Sequence, residues 1–225
     1  MSSTPSRGSC PGPLVPSAKR AFDLLVCAVL LPVAAPLGGV VAALVRLSSP
    51  GPVLFAGVRV GRGGVPFRIL KFRTMVADSS GPAITAAADP RITRVGGWLR
   101  HTKLDELPQL INVARGEMSL VGPRPEDPRF VAMFPEEYAV ILTVAPGVTG
   151  PASLKFRHEH ELLTSVEAGD LEQFYREDVL PRKLALDVDY VERRSLALDI
   201  RVLAATAVAL FRRPDRGRAD SMPSP

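Results

Sequence analysis
The hydrophobic pattern takes three forms in turn along the chain. Leu24 to Val45 is 22 residues without a charge. At about 1.5 Å per residue, a helix of that length crosses a bilayer core of roughly 30 Å. Pro32 and Pro36 stand in the middle of the run. Each removes a helix N–H and crowds the carbonyl four residues earlier. Residues 53–75 then switch to strand-like stretches, VLFAGVRV and VPFRILKFRTM, around the turn signal Gly61-Arg62-Gly63-Gly64. This predicts a β-hairpin. Period two puts Phe67, Ile69, Lys71 and Arg73 on one face, apolar first and cationic after, as in a strand running from a core into a site. From Lys103 to Arg115 the pattern becomes helical, with Leu104, Leu107, Ile111 and Ala114 at three-four spacing. Pro108 is tolerated only in a first turn, so the helix is expected to start near Asp105 and stop at Arg115-Gly116.

Further helices are expected over Asp127–Met133, Thr164–Asp178, Pro181–Arg194 and Asp199–Phe211. The last carries a ten-residue apolar run, too short to span a membrane and suited to a core or an interface. Asp89-Pro90-Arg91-Ile92-Thr93 leads into a short helix through Trp98 and Arg100, after a mobile polar loop at 78–90. Residues 1–18, rich in Ser, Pro and Gly, read as a disordered tail.

Charge sharpens the picture. Between Leu24 and Ala77 there is no acid, but Arg46, Arg59, Arg62, Arg68, Lys71 and Arg73 are all present. These six cations exceed the whole net charge of +5, so the rest of the chain is slightly acidic. Lys19 and Arg20 precede the apolar run, and Arg46 and Arg59 follow it. Lys19-Arg20 before an apolar stretch imitates a signal peptide, but the basic residues beyond the stretch oppose export. The positive-inside tendency holds both flanks on the cytoplasmic side. A re-entrant hairpin breaking near Ala35-Pro36 satisfies this. An ordinary kinked transmembrane helix stays equally open, because proline is tolerated there.

Composition excludes several classes. With 46% hydrophobic and 23% charged residues, the chain is not disordered overall. Mean hydropathy is +0.14, high for a soluble protein and too low for a multi-span transporter. Cys10 and Cys27 support neither a disulfide framework nor a thiolate metal site. His101, His158 and His160 are too scattered for a histidine metal centre. A basic patch can serve nucleic acid, but no helix-turn-helix, finger or aromatic-interleaved RNA motif is present. An anionic membrane surface or a phosphorylated substrate suits it better, so no nucleic acid is expected.

The candidate chemistry gathers around Asp105-Glu106. Adjacent helix residues point about 100° apart, so two carboxylates can serve one site in different roles. Asp105, Gln109 and Asn112 form a polar stripe beside the apolar one. Alone, this reads first as a solvated helix face with acidic residues near its start. Cations shift the balance: Arg100 and Lys103 before it, Arg124 after it, Lys71 and Arg73 on the strand. Arg124 sits in Gly122-Pro123-Arg124-Pro125, where flanking prolines restrict the backbone and lower the entropy lost on binding phosphate. A carboxylate nucleophile, a second carboxylate for Mg²⁺ and a ring of cations suit phosphoryl transfer. Neither a Walker A sequence nor Gly-x-Ser-x-Gly is present, which excludes a P-loop ATPase and a serine hydrolase of that type.

In order along the chain stand Lys19-Arg20-Ala21-Phe22-Asp23, Ser49-Pro50-Gly51-Pro52-Val53-Leu54-Phe55, Lys71-Phe72-Arg73-Thr74-Met75, Asp89-Pro90-Arg91-Ile92-Thr93, Leu104-Asp105-Glu106-Leu107-Pro108-Gln109, Asn112-Val113, and Gly116-Glu117-Met118-Ser119-Leu120-Val121-Gly122-Pro123-Arg124-Pro125. Over about residues 19–212 this resembles the bacterial sugar transferases, the monotopic polyprenyl-phosphate phosphoglycosyl transferases in their compact form. The resemblance implies an enzyme that moves a sugar-1-phosphate from a UDP-sugar to polyprenyl (undecaprenyl) phosphate, releases UMP and starts a surface glycan such as an exopolysaccharide or capsule. It implies Asp105 as the nucleophile of a covalent phosphosugar intermediate and Glu106 as support for Mg²⁺. It further implies Arg100, Arg124, Lys71 and Arg73 on phosphate groups, and a re-entrant helix broken at Ala35-Pro36.

The implied architecture is α+β and mainly helical, with a re-entrant membrane helix, a small β-hairpin and amphipathic interfacial helices. Its parts are a tail at 1–18, the membrane helix at 19–48, a cytoplasmic catalytic domain at 49–212 and a tail at 213–225. The expected setting is the cytoplasmic leaflet of a bacterial inner membrane, compatible with a homodimer. Gly57, where many relatives carry glutamine, the extra Pro32, and Pro151-Ala152-Ser153 after Gly147-Val148-Thr149-Gly150 depart from the pattern. A catalytically silent membrane scaffold is the reading from a different class.

Overall fold
Helix α1 (Ser17–Ser48) takes up the uncharged run together with its basic flanks. The structure, a computed structural model, describes residues 17–77, 89–157 and 170–211. Nearly all of the expected tails, most of the 78–90 loop, His158, His160 and the start of the helix expected from Thr164 lie outside the described residues. Helical conformation continues through Ala35 and Pro36, so the expected break is not an interruption of the helix. A proline deletes one N–H and presses on one carbonyl, which bends a helix while the surrounding bonds keep it helical.

Both halves of α1 pack on one domain. Near the start, the Arg20 guanidinium donates to the carbonyls of Val113 and Ala114. Asp23 is buried, accepting from Ser119 Oγ at 2.8 Å and the Leu120 N–H at 3.3 Å. Near the end, Val41 and Val45 are buried with Phe72 and Leu99. A Cβ on Gly38 would lie 3.8 Å from both Leu107 and Phe72. Between these anchors, Val29 and Val33 are about 70% exposed, an apolar surface that no part of the described chain covers. Among the described residues α1 is also the one helix long and apolar enough to cross a membrane.

Strands β1 (Leu54–Val60) and β2 (Pro66–Phe72) form the expected antiparallel hairpin, pairing Phe55 with Lys71 and Gly57 with Ile69. The chain then enters α2 (Arg94–Thr102), capped by Thr93 Oγ1 accepting from the Gly96 N–H. Gly96 lets α2 lie directly on the Thr74 backbone: a Cβ there would fall 1.9 Å from the Thr74 carbonyl oxygen.

The helix expected to start near Asp105 is divided. Leu104–Glu106 form a 3₁₀ turn, and α3 runs only from Gln109 to Arg115, with Gly116 capping it at a φ of 84°. Pro108 has no N–H to continue a helical ladder from the preceding turn, so the dyad stands on a separate turn ahead of α3. The polar stripe is not solvated either. Gln109 and Asn112 are buried, whereas Ile111 from the expected apolar stripe is exposed. Asn112 bridges α3 to β2: Oδ1 accepts the Leu70 N–H at 3.0 Å and Nδ2 donates to the Arg68 carbonyl at 2.8 Å.

Beyond α3, β3 (Ser119–Val121) pairs in parallel with β4 (Gly147–Thr149). Between them lie α4 (Pro128–Met133), capped by Asp127, and α5 (Pro135–Ile141). After β4 come α6 (Pro151–Lys155) and α7 (Leu171–Phe174). A π-turn at Tyr175–Val179 joins α7 to α8 (Leu180–Arg193), and α9 (Leu196–Phe211) follows. The architecture is therefore mainly helical α+β, as expected.

Three apolar clusters hold these parts. One joins Cys27, Ile69, Val113, Leu120, Tyr190 and Val202. A second joins Phe130, Tyr138, Phe156, Tyr175 and Leu184. The third seats the end of α1 on Phe72 and Leu99. Adjacent glycines of α2 test this packing. Gly96→Ala is expected to destabilise by about 1–3 kcal/mol or more by overpacking. Gly97→Ala meets only Ile92 at 3.9 Å and is expected to stabilise by about 0.5–1 kcal/mol. Melting of the two purified variants against the wild type checks both signs.

Candidate active site
The site forms where four segments converge: the end of β2, the end of α2, the 3₁₀ turn and the Gly122–Pro125 turn after β3. Ile69 and Lys71 on β2, with Arg73 just past its end, border a cleft of about 990 Å³. Arg100, Lys103, Asp105, Glu106 and Arg124 border the same cleft.

Glu106 is the hub. Its Oε1 accepts from Lys71 Nζ at 3.0 Å and from Arg124 Nη2 at 2.7 Å. Burial alone would raise the Glu106 carboxyl. Arg124, Lys71 and Lys103 outweigh it and hold the group far below the usual carboxylate range. Asp105 goes the other way. Burial, then the neighbouring Glu106 charge, pushes its carboxyl up. Asp105 Oδ1 is buried without a hydrogen-bond partner among the described residues. Adjacent carboxylates driven in opposite directions are the arrangement by which one site assigns two roles. Glu106 is a fixed anion neutralised by cations, while Asp105 is a desolvated carboxyl with an unpartnered oxygen among the described residues.

Two more cations surround the dyad. Arg100 Nε donates to Thr74 Oγ1 at 2.9 Å, and burial pulls this guanidinium down. Lys103 is also pulled down by burial, against the opposing attraction of Glu106. Lys103 is the one non-glycine residue with positive φ among the described residues, at 59°. Its left-handed conformation turns the chain from α2 into the dyad, and such strain persists where a site over-determines it. Composition marked Lys103 only as one cation among several; the sign of φ at a lysine has no sequence signature.

Arg124 is placed by close packing of its turn. A Cβ on Gly122 would lie 2.7 Å from the Ala145 carbonyl oxygen, and one on Gly147 would lie 2.1 Å from the Gly122 nitrogen. Only paired glycines let β3 and β4 deliver the turn to the cleft at this spacing.

Arg73 has a different position from the other basic residues. It is buried and donates to the carbonyls of Ser49 and Pro50, each at 2.7 Å, and to Ser49 Oγ at 3.0 Å. Its side chain borders the cleft but its hydrogen bonds tie β2 to the chain leaving α1. At Gly57, a Cβ would lie 2.9 Å from the Phe55 ring, which also borders the cleft. The aromatic ring thus occupies the space where a longer side chain at 57 would start.

The donor set bears on a divalent cation. Mg²⁺ takes one or two carboxylates together with phosphate oxygens and water. No cluster of three or more His, Cys, Asp or Glu able to hold a metal occurs among the described residues. The dyad, with the orphaned Asp105 oxygen beside Glu106, fits Mg²⁺ as a co-ligand of a phosphorylated substrate rather than as an all-protein cage.

Residues 15–213 match the family model described as bacterial sugar transferase. The UDP-glucose:undecaprenyl-phosphate glucose-1-phosphate transferase of Caulobacter vibrioides is 40% identical over 210 residues, covering 91% of this chain and 73% of that protein. The exopolysaccharide production protein PSS of Rhizobium leguminosarum bv. phaseoli is 38% identical, covering 85% of this chain and 94% of that protein. The UDP-N-acetylgalactosamine-undecaprenyl-phosphate N-acetylgalactosaminephosphotransferase of Aeromonas hydrophila is 37% identical over 87% of this chain, which spans only 44% of that relative's length. With a cationic cleft around an acidic dyad and a family match over nearly its whole length, this chain belongs to the bacterial sugar transferase family.

Proposed function
We propose that this protein transfers a sugar-1-phosphate from a UDP-sugar to undecaprenyl phosphate, releasing UMP, through a covalent intermediate on Asp105. The observation that carries the reading is the unpartnered, buried Asp105 oxygen beside a Glu106 neutralised by Lys71 and Arg124. In the first step an Asp105 oxygen attacks the phosphorus that bears the sugar. An O–P bond forms, the bond to the bridging oxygen breaks, and that oxygen leaves with UMP. In the second step the phosphate oxygen of the lipid attacks the same phosphorus, and Asp105 departs as a carboxylate.

Lys71 and Arg124 keep Glu106 ionised, and Arg100 and Lys103 supply positive charge for the diphosphate. Glu106, with Asp105 beside it, would hold Mg²⁺, which when bound neutralises diphosphate charge. The names of the relatives specify glucose in one case and N-acetylgalactosamine in another. One relative is named for exopolysaccharide production, which supports a place at the start of surface-glycan assembly.

The membrane reading follows from α1. Arg20 and Gly38 are 18 residues apart, about 27 Å along a straight helix. Yet they contact Val113–Ala114 and Leu107, about 10 Å apart along the dyad turn and α3. A helix bent at its prolines, dipping into the cytoplasmic leaflet and returning, accommodates both contacts and turns its exposed apolar residues, from Leu24 to Leu47, to lipid. This supports a monotopic protein with its catalytic domain in the cytoplasm.

Two measurements test these readings. UMP release by the purified chain with undecaprenyl phosphate and a panel of UDP-sugars is expected for at least one sugar, and EDTA is expected to stop it. Asp105→Asn is expected to lower that release by at least about 10³-fold while melting like the wild type; full activity in this variant contradicts the nucleophile. For topology, tags at both termini are expected to resist protease added from the periplasmic side. A periplasmic N-terminus contradicts the re-entrant helix.

A further inference from the structure
Three side chains on one wall of the cleft have no part in the chemistry around the dyad. Leu54, Phe55 and Val76 border the cleft and are 40%, 53% and 47% exposed. Their place is fixed by the chain leaving α1. The Arg73 N–H donates to the Val53 carbonyl at 2.9 Å, while its guanidinium holds the Ser49 and Pro50 carbonyls. A Cβ on Gly51 would lie 3.0 Å from the Ala77 methyl. Residues 49–54 therefore run alongside 73–77, and the apolar rim stands next to the end of α1, where Leu44 and Leu47 are exposed as well.

Cations with donors to spare adjoin this rim. Lys71 and Arg124 are committed to Glu106, and Arg73 to the exit from α1. Arg100 makes one side-chain hydrogen bond, from Nε to Thr74 Oγ1 at 2.9 Å, two residues before Val76. Its two terminal nitrogens and Lys103 Nζ have no hydrogen-bond partner among the described residues. Grouped exposed apolar side chains mark binding surfaces, whereas singly scattered ones need no explanation. A wall that is apolar toward α1 and cationic toward the dyad matches a phosphate joined to a hydrocarbon chain.

The two-step reaction needs such a ligand at this place. Displacement at phosphorus runs with the attacking and leaving oxygens in line. UMP therefore departs opposite Asp105, and the lipid phosphate arrives along the same line after UMP has gone. The cations meet a phosphate both times. What differs is the group behind it, a nucleoside first and a prenyl chain second. We propose that Leu54, Phe55 and Val76 form the apolar subsite for the acceptor, receiving the phosphate-proximal isoprene units of polyprenyl phosphate while Arg100 and Lys103 hold its phosphate. The inference rests on the covalent reaction proposed above. It adds that the rim acts only in the second step, where the lipid oxygen bonds to phosphorus and the bond from phosphorus to Asp105 breaks.

The test separates the two steps in the purified full chain in detergent, with Leu54→Gln, Phe55→Gln and Val76→Gln, singly and together. Formation of the sugar-phosphate adduct from UDP-sugar without lipid is expected to match the wild type within about twofold. Discharge of that adduct by undecaprenyl phosphate is expected to fall by about 10²-fold in the triple variant, with smaller losses in the single ones. Phe55→Leu, which keeps an apolar surface, is expected to retain most of the discharge rate. Methyl phosphate, with a phosphate and no prenyl chain, is expected to discharge the adducts of wild type and triple variant equally slowly.

Discharge at the wild-type rate in the triple variant, or equal losses in both steps, overturns the proposal. Should the triple variant not fold, Leu54→Gln alone decides by the same split between the steps. If no UDP-sugar yields an adduct or UMP with the wild type, the assigned reaction falls. Equilibrium binding of undecaprenyl phosphate to the purified chain then still reports on the rim: weaker binding in the triple variant upholds the subsite, and equal binding overturns it.

Discussion
Two cations converge on a single oxygen, Glu106 Oε1. Lys71 comes from the hairpin and Arg124 from the turn after β3, while Glu106 stands on the 3₁₀ turn between α2 and α3. This triple contact ties together segments more than 50 residues apart in sequence, and the rest of the structure can be read as what it takes to make it. Asn112 locks α3 to β2, so that Lys71 faces the dyad. Gly96 lets α2 settle on Thr74, bringing Arg100 and Lys103 to the cleft. Gly122 and Gly147 let β3 and β4 approach closely enough to present Arg124.

The clamp also separates the chemistry of two adjacent acids. Glu106 spends its charge on its neighbours and stays ionised. Asp105, buried and next to that charge, is left with an oxygen that no described residue satisfies. Burying an unsatisfied carboxyl oxygen costs stability, a cost that the proposed attack on a substrate phosphorus would explain. The surrounding cations serve both ends of this arrangement, because the charge that neutralises Glu106 also attracts a diphosphate.

Much of this was legible in the sequence because it is local. The hairpin follows from period-two alternation and a glycine-rich turn, the end of α3 from Arg115-Gly116, and the basic ring from a count of charges. What was not legible is long-range. The split at Pro108 was missed because the three-four spacing of Leu104, Leu107, Ile111 and Ala114 runs across the proline unbroken. Gln109 and Asn112 look like a solvated stripe until the hairpin covers them. Arg73 has the same spacing as Lys71, yet its guanidinium is drawn to the Ser49 and Pro50 carbonyls. The short parallel pair β3–β4, α5 and α6 carry too few residues to leave a period. Pro32 and Pro36 read as a stop in α1, but proline alone does not show that the helix continues through them.

The central claim is that Asp105 is the nucleophile and not a spectator to direct transfer between two bound substrates. Intact-mass spectrometry of the purified chain, incubated with an active UDP-sugar and no lipid phosphate, tests it most directly. The account requires one sugar-phosphate adduct per chain, mapped to Asp105, absent in Asp105→Asn and discharged by added undecaprenyl phosphate. UMP release only when both substrates are present, with no adduct at any time, would contradict it.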